Sequence, residues 1–179
     1  MEQAINNKIK DMVYIALFAV LITICSWISI PAIVPFTLQT FAIFITLGLL
    51  GGKRGTLSIL VYIFIGSIGI PVFANFSGGL GVLLGPTGGY IIGFLFLALI
   101  YWLITTLFGN KLAISIISMF LGLLICYIFG TIWYMIESGN PISLTKALSL
   151  CVIPFIIPDL IKMLLAIILT KRLNSHVNP

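Results

Sequence analysis

A chain of 179 residues in which 61% are apolar and only 7% are charged cannot cover a soluble domain, whose residues are about 25% charged. Its formal net charge of +5 sits on a few residues between apolar runs. That pattern sets orientation in a bilayer and excludes a nucleic-acid surface. At about 20 apolar residues per span, the chain has room for six or seven helices, a single transmembrane domain over residues 1–179 and no soluble domain.

In chain order, apolar runs between glycine and proline breakers predict an all-α bundle of six transmembrane helices. The first covers residues 12–30 and stops at Pro31. It is longer than the apolar region of a signal peptide, which spans about 7–15 residues, and no A-x-A site follows it, so it is expected to be retained. The second covers residues 36–50 and ends at Gly51-Gly52; the third covers 56–70 and meets Pro71. These two are short, and a re-entrant hairpin is the alternative. That alternative would draw Lys53 and Arg54 into the membrane, which favours two spans.

Residues 71–88, PVFANFSGGLGVLLGPTG, carry no charge and are broken by glycine and proline. The segment is too apolar for a solvated loop. Irregular backbone at membrane depth survives only when buried in protein or lining a cavity, so an external lid over a pocket is expected. The fourth, fifth and sixth helices are predicted over 89–108, 112–136 and 148–170. With the N-terminus inside, cytoplasmic segments hold Lys8, Lys10, Lys53, Arg54, Lys111, Lys171 and Arg172, and the external loops hold only Lys146. The positive-inside rule therefore predicts cytoplasmic N- and C-termini.

Asp159 and Lys162 interrupt the sixth run. A charge at the centre of a membrane helix costs about 2.5–3.5 kcal/mol on insertion scales, and a cost of that size implies a partner or a task. Residues three apart share a helix face. A break near Pro158 would set Asp159 at a helix start, where the dipole favours a carboxylate. From Asp159 to Thr170 the helix would rise about 16 Å, placing the acid near the bilayer centre. Three readings are open: a self-satisfied ion pair that only fixes packing, a proton relay, and a ligand site. The ligand site is preferred, because no second acid accompanies Asp159 in any run and small-molecule pockets are apolar with few polar groups.

Other candidates carry less. Asn75 is the amide of the lid, and Thr37 and Gln39 open the second helix. Trp27, Trp102 and Trp133 fall near span ends as interfacial anchors. Cys25, Cys126 and Cys151 lie in apolar runs without metal spacing, and His176 is close to the C-terminus, so no metal is expected. No P-loop is present, since GVLLGPT (81–87) lacks its lysine. No nucleophile–base pair appears, and enzyme chemistry has no support.

VPFTLQTFA (34–42), LLGGKRGTLS (49–58), GSIGIPVFANFSGGLGVLLGPTGGYIIGF (66–94) and IPFIIPDLIK (153–162) together resemble the BioY family, the biotin-specific S components of energy-coupling-factor (ECF) transporters. The resemblance implies a six-helix protein of the prokaryotic plasma membrane that captures biotin from outside. Biotin would be its substrate, with no cofactor. It also implies two kinds of partner, a transmembrane T component and two cytoplasmic ATPases. Carried over by position, Asn75, Asp159 and Lys162 would be the polar biotin contacts, with Thr37, Gln39, Phe73 and Tyr90 as weaker candidates. The resemblance leaves open which of them meets the urea ring and which the carboxylate. A small-residue face on helix 1, here Ala16, Ala19 and Val20, would dock the T component. The alternative function is a channel or energy-independent facilitator using the GPTGG loop as a filter.

Overall fold

The computed structural model describes every residue except 1, 33, 140 and 174–179, so His176 lies outside the described residues. Helix α1 (Glu2–Trp27) begins well before the predicted apolar run, because no glycine or proline precedes Pro31 to stop it. It also ends earlier than predicted. Ser29–Ile30 pairs antiparallel with Phe36–Thr37, in the register Ser29 to Thr37 and Ile30 to Phe36. Pro31 explains the earlier end, since the residue before a proline, here Ile30, is pushed toward extended backbone. These two short strands, β1 and β2, correct the expected ends of the first two helices.

Helix α2 (Gln39–Ser67) is broken at Gly51, whose φ of 74° and ψ of 178° are non-helical. A positive φ of this kind is open to glycine at little steric cost. The chain reverses there. Gln39 Nε2 reaches Tyr62 Oη at 3.0 Å, although a straight helix would separate these residues by about 34 Å. The predicted second and third helices are therefore two antiparallel arms, residues 39–50 and 52–67. Two thirds of the apolar window of α2 is buried, 67% against 22–39% for the other long helices. The hairpin is thus the inner element, and the other long helices leave most of their apolar windows exposed.

After α2, a 3₁₀ turn (Ala74–Phe76) and the short α3 (Leu80–Leu83) lead into α4 (Gly88–Phe108) and α5 (Leu112–Glu137). These match the predicted fourth and fifth helices closely. The sixth is split into α6 (Leu144–Cys151) and α7 (Ile153–Leu173) at Val152, with φ −124° and ψ −57°. Pro154 sits in the first turn of α7, where its missing N–H is harmless. Pro158 lies inside α7. Asp159 is therefore not at a helix start, and the expected dipole contribution is absent. The described residues form an all-helical bundle apart from the β1–β2 ribbon, and five helical segments are long and apolar enough to cross a membrane.

The core is continuous, running from Phe18 and Ile22 through Ile43, Phe44 and Tyr62 to Leu97, Met119 and Ala166. The two ends of the bundle differ. At one end Arg54 meets Asp11 at 2.8 Å, Gly48 touches Thr170, and Lys171 and Arg172 close α7. At the other end Lys146 lies beside Pro86 and Ser138. On α1, Ala16 and Val20 are exposed, but Ala19 is 3% exposed and belongs to the core. Of the expected docking face, only Ala16 and Val20 point outward.

Candidate ligand-binding site

A cavity of about 280 Å³ lies at the bundle end away from Arg54 and Lys171. That is near the lower limit of small-molecule sites, about 300–1,000 Å³. Its walls are mostly apolar. Ile91 and Phe94 come from α4, Leu123 from α5, Phe155 from α7, and Val34 from the ribbon.

One polar cluster faces these walls. Asp159 and Lys162 are one turn apart on α7 and almost fully buried, at 3% and 6% exposure. Lys162 Nζ donates to Asp159 Oδ1 at 2.8 Å, to the Thr37 carbonyl at 2.7 Å and to Thr40 Oγ1 at 3.1 Å. An ammonium has three donors, so all are used. Its charge also rests 4.4 Å from the centre of the Phe36 ring, an attractive cation–π distance. The Thr40 hydroxyl in turn donates a hydrogen bond to Asp159 Oδ1 at 2.9 Å. The other carboxylate oxygen, Oδ2, accepts only from Tyr127 Oη, at 2.7 Å, among the described residues. A carboxylate oxygen has room for about two hydrogen bonds. Oδ2 therefore keeps one acceptor position at the lining of the cavity.

All the predicted polar candidates line this cavity. Asn75 is exposed at its mouth, with Oδ1 accepting from Ser29 Oγ at 3.1 Å. Thr37 uses its carbonyl, not its hydroxyl, on Lys162. Gln39 is buried and bound to Tyr62. Phe73 is buried edge-on to Tyr62, and Tyr90 Oη shares a hydrogen bond of 3.0 Å with Thr131 Oγ1. Sequence reasoning missed Thr40 and Tyr127. Membrane hydroxyls usually return to their own helix, as Thr46 and Thr56 do to carbonyls four residues back. A threonine or tyrosine in a span therefore gives no signal comparable to a charge.

Two of the tryptophans do more than anchor span ends. Trp27 Nε1 donates to the Pro71 carbonyl at 2.8 Å, and Trp133 Nε1 to the Gly85 carbonyl at 3.0 Å. Both fasten the 68–87 connection. Gly85 O also accepts from Gly88 N, so the glycine-rich stretch spends this carbonyl within the fold and not on an ion path. Among the described residues no group of three metal-ligating side chains occurs, and Asp159 is the one acid lining the cavity.

A bundle of long apolar helices around a mostly apolar cavity lined by one buried ion pair has the make-up of a multi-pass membrane protein. The chain belongs to the BioY family, whose model matches residues 1–179. It is 39% identical over 170 residues to the probable biotin transporter BioY of Pyrococcus horikoshii, covering 94% of this chain and 99% of that one. It is 38% identical over 167 residues to the biotin transporter BioY of Thermotoga maritima, covering 93% and 96%. The crystal structure of an S component for biotin from an ECF-type ABC transporter superposes with a TM-score of 0.84 at 31% identity, covering 96% of this chain and 94% of that one. The fold is therefore that of an S component, and the protein is a multi-pass membrane protein of a transporter family and not an enzyme.

Proposed function

We propose that this protein captures biotin from outside the cell in the cavity beneath residues 68–87, as the S component of an ECF transporter. The observation that carries this reading is the open acceptor position on Asp159 Oδ2 at the polar end of an apolar cavity. Biotin's cyclic urea offers N–H donors that match it, and the fused rings and aliphatic tail suit the surrounding Ile91, Phe94 and Leu123. Lys162 orients Asp159 and cancels its charge, since its three donors are already engaged. Asn75, at the mouth, has an amide able to meet the tail carboxylate.

In this reading the segment around Phe73 and Asn75 is the lid, the bundle has six spans, and both termini are cytoplasmic. The basic end of the bundle faces the cytoplasm of a prokaryotic cell, as the positive-inside rule requires. The sequence carries no phosphate-binding loop, so energy would come from a T component and two ATPases. Ala16 and Val20 are the outward small positions that a T component would meet.

Titration of the detergent-solubilised chain with biotin tests the proposal. The expected result is saturable binding near one biotin per chain, with a melting point that rises with ln([biotin]/Kd). Absence of saturable binding in protein that still melts cooperatively would reject it.

A further inference from the structure

The basic end of the bundle carries a second concavity, an open groove of about 680 Å³ between α1, the turn of α2 and the end of α4. It shares no residue with the biotin cavity. Three cations border it, Lys8, Lys53 and Arg54, against one acid, Asp11. That acid is committed to Arg54 at 2.8 Å. Lys8 and Lys53 are exposed and have no ion-pair partner among the described residues. At a bilayer surface such free cations attract anionic headgroups, by about 1 kcal/mol, or roughly fivefold in affinity, for each basic residue.

The rest of the groove is unlike an ion site. Met12, Ile15 and Leu57 line it, with the Trp102 indole, which is 37% exposed, on the same wall. The same two helices also expose apolar side chains outside the groove, Val13 on α1 and Leu103 on α4, as helices bordering hydrocarbon do. A free phosphate would leave the apolar wall idle, and a neutral amphiphile would leave the lysines unpaired.

We propose that this groove holds one anionic phospholipid of the phosphatidylglycerol class, its phosphate between Lys8 and Lys53 and an acyl chain along Met12 and Trp102. Charge complementarity selects the occupant. A zwitterionic headgroup carries its own cation against the lysines, whereas a net anion gains roughly fivefold in affinity from each basic residue near the surface. Bound there, the lipid bridges the first helix to the hairpin turn.

The test uses the purified chain in neutral detergent, with melting read during titration by phosphatidylglycerol, phosphatidylcholine or glycerol 3-phosphate. Phosphatidylglycerol is expected to raise the midpoint by roughly 2–4 °C, and the other two are not. In the Lys8→Ala/Lys53→Ala double variant, whose lipid-free midpoint should match the parent, the phosphatidylglycerol shift is expected to fall to the phosphatidylcholine level. Lys111→Ala, another basic position outside the groove lining, is expected to leave it intact. An equal shift from phosphatidylcholine, an equal shift from glycerol 3-phosphate, or a full shift in the double variant each overturns the proposal. So does a loss in Lys111→Ala as large as in the double variant, because that result would mean diffuse surface charge.

Discussion

Asp159 and Lys162 carry two duties, holding the fold and presenting an acceptor, and substitutions can separate them. Removing one member of a buried ion pair leaves an uncompensated charge and destabilises by about 3–5 kcal/mol. Lys162→Met is therefore expected to lower the melting point sharply, with Asp159 still held by Thr40 and Tyr127. Asp159→Asn/Lys162→Met removes both charges in side chains of similar size, and is expected to recover most of that loss. It should not recover biotin, because the amide lacks the anionic acceptor; a charged hydrogen bond contributes about 1.5–3 kcal/mol, or roughly 10- to 150-fold in affinity. Melting scans with and without biotin read both quantities. A double variant that binds biotin as well as the parent would leave the pair a purely structural role. Tyr127→Phe is subtler. It strips the donor from the buried Oδ2 without opening a void, which costs about 1–3 kcal/mol, so a lower biotin-free melting point that biotin partly restores is expected in melting scans.

The ribbon and the 68–87 connection are held to the end of α1 by several contacts at once. Ser26 Oγ donates to the Val72 carbonyl, Trp27 Nε1 to that of Pro71, and the Trp27 and Phe76 rings stack at 5.1 Å. Asn75 and Phe76 both adopt left-handed backbone, at φ 56° and 55°, a conformation unfavourable for side chains with a Cβ and sustained only by surrounding contacts. Cutting the contacts should therefore let the segment swing. Trp27→Ala is expected to raise the biotin dissociation rate by about tenfold, taking its hydrogen bond and stack as about 1.4 kcal/mol together. Association should quicken too, and Trp27→Phe should lie between. Washout of radiolabelled biotin measures the rate, and an unchanged rate in Trp27→Ala would mean that the segment is no lid. These short elements were illegible in the sequence, for strands of two residues carry no periodicity. The helix break lies beside Pro154 and not at the expected Pro158 for a related reason. Two prolines four residues apart give the same signal, and only Pro154 falls in a first turn, whereas α7 absorbs Pro158.

Across the whole molecule, what the sequence disclosed follows from energetic contrast. Charges in hydrocarbon and long apolar runs are costly to misplace, so the Asp159–Lys162 pair, α4, α5 and the hairpin turn at Gly51 could be read directly. Thr40, Tyr127 and the inward turn of Ala19 depend on which faces meet, and neighbouring residues in sequence do not encode that. The same contrast governs orientation. Arg54, Asp11, Gly48 and Thr170 gather at one end, whereas the cavity and Pro141, near Lys146, lie toward the other. If basic residues stay cytoplasmic, the cavity must open outward, as capture from the medium requires. Single cysteines at exposed positions make this measurable, because the native Cys25, Cys126 and Cys151 are buried and the unsubstituted chain serves as the blank. In intact cells a membrane-impermeant maleimide is expected to label Pro141→Cys and to spare Lys53→Cys until the cells are opened. The reverse pattern would turn the cavity toward the cytoplasm, and a protein so placed could not take biotin from outside.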